Sequence, residues 1–349
     1  MTTTTEAGAT APAPGRRVTP TGRLILPADA DRADWLTARR QGLGSSDIAA
    51  ILGISRFGNA LTVWHDKTGG LPLESDDTEP ALWGRLNEET VAREWARRNR
   101  SHVRRVGLVA NIERPWQMCT LDRRVLACPI SQDTKERCAV EVKCRDKMKA
   151  GQWRKGTPDD VLAQTLWQAD VCGFDHIHVA CLIGGNDYRQ FVVRVADHAD
   201  IVANLRAAGE QAWQQIVARR PPLLTGEEEP GPLLDLYAQL HPERSGYVEI
   251  DRDGDAQDDL TEYIEQAAAE STAKKAKEKA KAKLIGHLGG KQAAFYQDRP
   301  AYSYDEESRE YVDRERLREK FPEAYEACVE DRVSRRLNIP RNVREEFTS

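Results

Sequence analysis

The stretch CAVEVKCR at 138–145 decides the reading of this chain, together with CTLDRRV at 119–125. Apolar residues alternate with Glu141 and Lys143 along the first segment, which is the period of a strand. Val140, Val142 and Cys144 therefore share one face, and Glu141 and Lys143 the other. Alone, such a pair reads as no more than a surface ion pair. The second segment sets Asp122 among apolar residues on the preceding strand, within reach of Glu141 across an antiparallel hairpin. Two carboxylates at one place repel each other unless a divalent cation lies between them, and hard oxygen donors suit Mg2+ or Mn2+.

Working outward, the periodicity predicts a helix from about Trp83 to Asn99, on which Glu88 shares a stripe with Val91, Ala92 and Trp95 while Glu89 is displaced to the side. A carboxylate on a stripe that turns toward a sheet is costly without a partner. Glu88, Asp122, Glu141 and Lys143 together describe a metal site with a neighbouring cation. The chemistry of such a site is phosphodiester hydrolysis, in which the ion acidifies water and a lysine orients it or offsets charge. Gln164, on a helix that follows Pro158, either hydrogen-bonds the attacking water or a phosphate oxygen, or is a helix-surface glutamine.

Element order fixes the class. From about Asp31 the sequence reads as two short helices around a Gly/Ser turn, with Ser45 or Ser46 as a cap. The helix at 83–99 follows, then strands at 104–112, 116–127 and 138–145, a helix to about Cys172, a strand pair turning at GGND, and a helix through Trp213. This is a mixed α/β domain over 31–222. Residues 1–30 read as a disordered lead-in, and 223–254, with the Pro, Gly and charge of RPPLLTGEEEPGP just before and within it, as a linker. Residues 255–349 read as a long Ala/Lys/Glu helix, a small strand pair and a helix around Arg314 to Asn338. The stretch KKAKEKAKAK either belongs to a solvated arm or coiled-coil hairpin, or lies along phosphates.

Composition narrows the function classes. With 349 residues and 40% hydrophobic content a real core is available, and no apolar run is long enough to span a bilayer. The N-terminus lacks a secretory pattern, so a cytoplasmic location is expected. Seven cysteines without a CxxC pair argue against a disulfide framework or a zinc ribbon, and most read as small core residues. Lys and Arg number 51 against 56 Asp and Glu, a net charge of −5 that does not advertise nucleic-acid binding. Local charge does: arginines from Arg85 to Arg105 crowd one helix and the next strand, and Arg123, Arg124, Lys143 and Arg145 surround the acids. That patch either tracks phosphates or is a solvated helix face paired with Glu88, Glu89 and Glu94. Trp153 and Trp167 either stack on bases or sit in the core.

Asp122 followed by Glu141-Val142-Lys143, within helix, three strands and helix, resembles the PD-(D/E)xK nuclease superfamily, and in finer detail its YqaJ-type viral recombinase branch, similar to lambda exonuclease. The supporting segments are RRQGLGSSDIAAILGIS, LTVWHDKTG, WGRLNEE, CTLDRRV, VEVKC and PDDVLAQTLWQADVCGFDHIHVACLIGG, in the family's order across roughly residues 35–195. The resemblance implies a restriction-endonuclease-like mixed sheet flanked by helices, with a helical C-terminal extension. It implies that Asp122, Glu141 and the carbonyl of Val142 hold Mg2+, with Glu88 completing the site and Lys143 assisting the water. It places Arg39 and Ser46 in a pocket for a 5′-terminal phosphate, and leaves Asp47 as a structural residue. It further implies digestion of duplex DNA from 5′ ends in phage or prophage recombination, a ring-like homo-oligomer and a partner that anneals single strands. Within the same fold the alternatives are an endonuclease and a catalytically silent DNA-binding or assembly subunit. Arg123 departs from the glycine that many relatives carry after the aspartate. Only Cys328 follows Cys181, so no iron–sulfur cluster is expected.

Overall fold

The computed structural model describes residues 15–73, 78–131, 138–226, 228–250, 254–330 and 336–347. The chain divides into two units at Arg244/Ser245. In the first, β1 (Gly22–Leu26), α1 (Arg32–Arg39), α2 (Ser45–Ile51), α3 (Ala60–Thr68) and α4 (Glu79–Arg98) precede the strands β2 (Val103–Arg104), β3 (Gly107–Asn111), β4 (Met118–Leu121), β5 (Arg123–Val125) and β6 (Cys138–Arg145). After a short 3-10 helix come α5 (Asp159–Cys172), β7 (His176–Ile183), β8 (Asp187–Arg194), α6 (Ala199–Val217) and α7 (Pro230–Leu240).

The strands form two sheets. One has the order β1-β3-β4, all antiparallel; the other has the order β2-β5-β6-β7-β8. Among the strands of the described residues, β6 and β7 are the pair that runs parallel, from Cys138 opposite His176 to Arg145 opposite Ile183. Parallel neighbours need a crossover, and α5 supplies it. Its start is set by Pro158 and the acids Asp159 and Asp160, and its end by Gly173 in the left-handed region at φ 67°. This is a mixed sheet flanked by helices, as the sequence leads one to expect.

What the sequence did not disclose is that the strand read as continuous over 116–127 changes sheets. β4 belongs to the smaller sheet and β5 to the larger, and the one residue between them is Asp122. Its side chain takes up the ladder where the backbone leaves it.

The two faces of the larger sheet are covered differently. Val91, Ala92 and Trp95 of α4 pack on Val125, Cys138, Val140 and Val142. On the other side α5 buries Leu166 and Trp167 with Ala139, Ile177 and Val179. Trp153 and Trp167 are each 1% exposed, so both are core, and the Trp167 indole N–H donates to the Met118 carbonyl at 2.9 Å. Beneath α4 burial lowers the imidazoles of His176 and His178, the latter to about 3.

Several expectations need correction. Residues 1–14 of the expected lead-in lie outside the described residues, but 22–26 form β1 against β3, because GRLIL carries enough apolar side chain to complete that small sheet. Within the stretch read as a linker, α7 forms and buries Leu236. The cap of α2 is Gly44, not Ser45 or Ser46; the Asp47 carboxylate accepts from the Gly44 N–H at 2.8 Å.

The second unit contains α8 (Asp255–Leu288), the hairpin β9 (Ala293–Tyr296) and β10 (Arg299–Ser303), and three short helices, α9 (Arg314–Lys320), α10 (Pro322–Cys328) and α11 (Arg341–Glu346). The single helix expected over 314–338 is broken by Pro322, which opens α10. Nearly all of α8 is exposed, with Ile264 and Leu288 buried.

Candidate active site

Glu141 lies mid-strand on β6 and is 2% exposed, a buried carboxylate that needs partners. It has three. Lys143, two residues on and hence on the same face, places Nζ on Oε1; the Gln164 amide donates to Oε1 at 2.7 Å; and the Gln168 amide donates to Oε2 at 2.7 Å. Lys143 also donates to the Gln164 carbonyl oxygen at 2.9 Å, which closes a ring of acid, amine and amide. Gln164 and Gln168 are one turn apart on α5, so the crossover helix presents both to the strand it connects. Gln164 is therefore not a solvent-facing residue. Gln168 was not singled out from the sequence, although its i+4 spacing from Gln164 is the signal that would have found it.

Asp122 reaches the same place from the other edge of β6. Its Oδ2 accepts the Val142 N–H at 2.7 Å. The N–H and C=O of one strand residue point to the same side of the ladder, so the Val142 carbonyl also faces the Asp122 edge. Burial pushes the Asp122 carboxyl well above the usual carboxylate range; the charges of Glu141 and Glu88 push it further, against Lys143 and the Val142 hydrogen bond. A buried acid pushed up in this way, with two further acids adding to the effect, belongs to a donor set short of positive charge. Two carboxylates and a backbone carbonyl are hard oxygen ligands that fit Mg2+ or Mn2+.

Glu88 comes from α4 and is more exposed than the sequence stripe suggests, its side chain being 30% accessible. It does not stand alone at the site. Arg123 donates from Nη1 to Glu88 and from Nη2 to Glu89, each at 2.5 Å, and also reaches the Asp122 carbonyl. Its side chain is only 4% exposed. The expectation that Arg123 contacts DNA therefore does not fit its position: the guanidinium is a buried clamp between α4 and the start of β5. Glu89, expected to be displaced, is its second anchor. Arg145 is partly buried near Asp160 at 3.7 Å.

The arginine patch on α4 is mostly matched by acids. Arg93 pairs with Glu89 at 2.7 Å, and Arg97 and Arg98 share Glu94 at 2.8 and 2.6 Å. Arg98 also lies 4.2 Å over the Tyr188 ring. Of the two readings of this patch, the paired helix face describes these three residues.

A second cluster joins α1, α2 and α3. Arg39 Nη2 donates to Ser46 Oγ and to Asp47 Oδ1, both at 2.8 Å, and Lys67 Nζ lies 2.8 Å from Asp47 Oδ2. Burial alone would raise the Asp47 carboxyl, but Lys67 and Arg39 outweigh it and hold it well below its ordinary value. Asp47 thus fixes Arg39, whose side chain remains 30% exposed beside Ser46. Both line a concavity of about 470 Å³. Arg32 and Trp35 of α1 line that concavity and also the one bounded by Glu88, Asp122 and Arg123, so the two hollows flank one helix.

Residues 34–175 match the profile of the YqaJ-like viral recombinase domain. Over 335 residues the chain is 25% identical to the uncharacterized protein YqaJ of Bacillus subtilis (strain 168), covering 90% of this chain and 96% of that one. Among solved structures it is similar to the alkaline exonuclease LHK-Exo from Laribacter hongkongensis, with a TM-score of 0.43 and 14% identity over 53% of this chain and 93% of that one. The complex of LHK-Exo with dAMP gives a TM-score of 0.44 and 15% identity over the same shares. The family resemblance read from the motifs is borne out by the match over 34–175. Among the described residues no helix is long and apolar enough to cross a membrane.

Proposed function

We propose that this chain is a metal-dependent deoxyribonuclease that degrades linear duplex DNA from 5′ ends during phage or prophage homologous recombination. The observation that carries the reading is that Asp122 takes up the Val142 N–H between Glu141 and Lys143, which share one face of β6, with Gln164 bonded to both the acid and the amine. Asp122, Glu141 and the Val142 carbonyl would hold Mg2+ or Mn2+, and Glu88 would support the site through Arg123. Such an ion supplies an acidified water and neutralises phosphate oxygens. Gln164 and Gln168 keep Glu141 in one orientation. Lys143 stands within hydrogen-bond reach of Glu141 and Gln164, where an ammonium can orient water or offset charge developing on the phosphate.

End recognition is assigned to the neighbouring hollow. A guanidinium and a hydroxyl suit a doubly charged terminal phosphate, and Arg39 is held ready by Asp47. Because Arg32 and Trp35 border both hollows, a strand end seated at Arg39 and Ser46 lies beside the acids. A ring-like homo-oligomer and a partner that anneals single strands belong to the same proposal through the family resemblance. The test is digestion of linear duplexes bearing 5′-phosphate or 5′-hydroxyl ends, and of closed circular DNA, with Mg2+ or chelator. Nucleotide release from the phosphorylated linear duplex, abolished by chelator and absent with the circle, is expected. Cutting of the circle, or release that survives chelation, overturns it.

A further inference from the structure

The face of the larger sheet turned away from Glu141 holds a second group of metal-binding side chains. Cys128 lies three residues beyond β5, Cys138 opens β6, and His176 and His178 share one face at the start of β7. Cys138 and His176 are partners in the parallel ladder, so they lie side by side on that face. One ligand atom from each of the four falls within 4.8 Å of every other. Both imidazoles present Nε2 to the same sulfur: Cys128 Sγ is 3.2 Å from His176 and 3.5 Å from His178. Cys138, His176 and His178 are 0%, 6% and 2% exposed, and Trp95 covers the group with its ring 4.8 Å from that of His178.

Hydrogen bonding accounts poorly for this arrangement. A thiol has one hydrogen and can donate to only one of two imidazoles; the other would have to turn its N–H on sulfur, a weak acceptor, in a buried site. A single cation satisfies all four groups at once. A tetrahedral ion with bonds of about 2.3 Å to sulfur and about 2.0–2.1 Å to nitrogen sets unlike ligand atoms about 3.6 Å apart, close to the separations seen. Two thiols and two imidazoles are the donor set of a closed structural zinc site. A two-iron cluster with the same residues would divide cysteines and histidines between separate irons, which four atoms this close do not allow.

We propose that Cys128, Cys138, His176 and His178 bind one structural Zn2+, which ties the segment after β5 to the bases of β6 and β7. Binding displaces both thiol protons, and the ion enters as a neutral pair of imidazoles and two thiolates close round it. The residues escape a sequence search because they come from the first residues of two strands and the segment after a third, and not from CxxC turns. The site is separate from the acidic one, on the opposite face of β6, and does not depend on the nuclease reading.

The full-length chain, purified without added metal and dialysed against Mg2+-free buffer, should carry about one zinc per chain by mass spectrometry. A mercurial thiol reagent should release it. Replacement by Co2+ should give the visible absorption of a tetrahedral ion with thiolate ligands, a readout that needs no variant. Cys128→Ser, at the least buried ligand, should lower zinc content at least fivefold, whereas Glu141→Gln should leave it unchanged. Substoichiometric zinc with no saturable uptake of Zn2+ or Co2+, iron in its place, or zinc lost on Glu141→Gln would each overturn the proposal.

Discussion

Asp47→Asn is the substitution whose cost the structure specifies most closely. The carboxylate is 7% exposed and receives Lys67, Arg39 and the Gly44 N–H, each at 2.8 Å. The Lys67 side chain is fully buried. Removing one partner of a buried pair costs about 3–5 kcal/mol, because the remaining charge stays desolvated. Lys67 keeps Asp66 at 3.4 Å and the Arg39 carbonyl at 3.2 Å, so the low end, about 3 kcal/mol, is expected. For a unit of this size that corresponds to a loss of about 6–12 °C in melting temperature. The pH dependence has a definite sign. Asp47 is depressed when folded, so its contribution is complete above the unfolded carboxylate value of about 4 and is lost as pH falls below it. Thermal melts of wild type and Asp47→Asn should differ by a constant amount from pH 5 to 8 and converge in more acid buffer. Equal melting temperatures at neutral pH, or a difference that persists unchanged into acid, would refute the ion-pair account.

Two other substitutions probe the site. Gln168→Leu removes a hydrogen bond to a buried carboxylate and should cost about 1.5–3 kcal/mol in a denaturant titration; because it frees Glu141 to turn, the Mg2+ concentration for half-maximal nuclease rate should also rise, which a purely structural glutamine would not cause. Arg123→Gly, which removes the buried guanidinium from both glutamates, should destabilise the fold by about 2–4 kcal/mol while leaving duplex affinity within twofold of wild type. A tenfold loss of affinity there would return Arg123 to the DNA surface.

Local periodicity made the strand and its acids legible. Alternation in CAVEVKCR put Glu141 and Lys143 on one face, and that face meets α5. The hairpin reading expects Asp122 to face Glu141; the Asp122 carboxylate instead accepts from the neighbouring Val142 N–H, because the residue sits at a change of sheet, and only tertiary pairing reveals such a junction. Burial was harder to read than spacing. Arg123 looks like any basic residue beside a strand, and its interment follows from two glutamates that α4 delivers from 34 and 35 residues away. The strand at 22–26 was hidden by the polar, Pro-rich residues before it, and the helix at 230–240 by the Pro, Gly and Glu content that opens it. The Cys/His group was invisible for a related reason: its members are ordinary core residues until β6 and β7 pair in parallel.

The central claim is that Asp122 and Glu141 hold a divalent ion beside Lys143 for phosphodiester hydrolysis. Nucleotide release from a 5′-phosphorylated linear duplex in Mg2+, measured for Asp122→Asn, Glu141→Gln and Lys143→Ala alongside duplex binding, tests it most directly. The account predicts a fall of at least about 100-fold in release for each, with binding retained. Release at the wild-type rate by these three folded variants would contradict it.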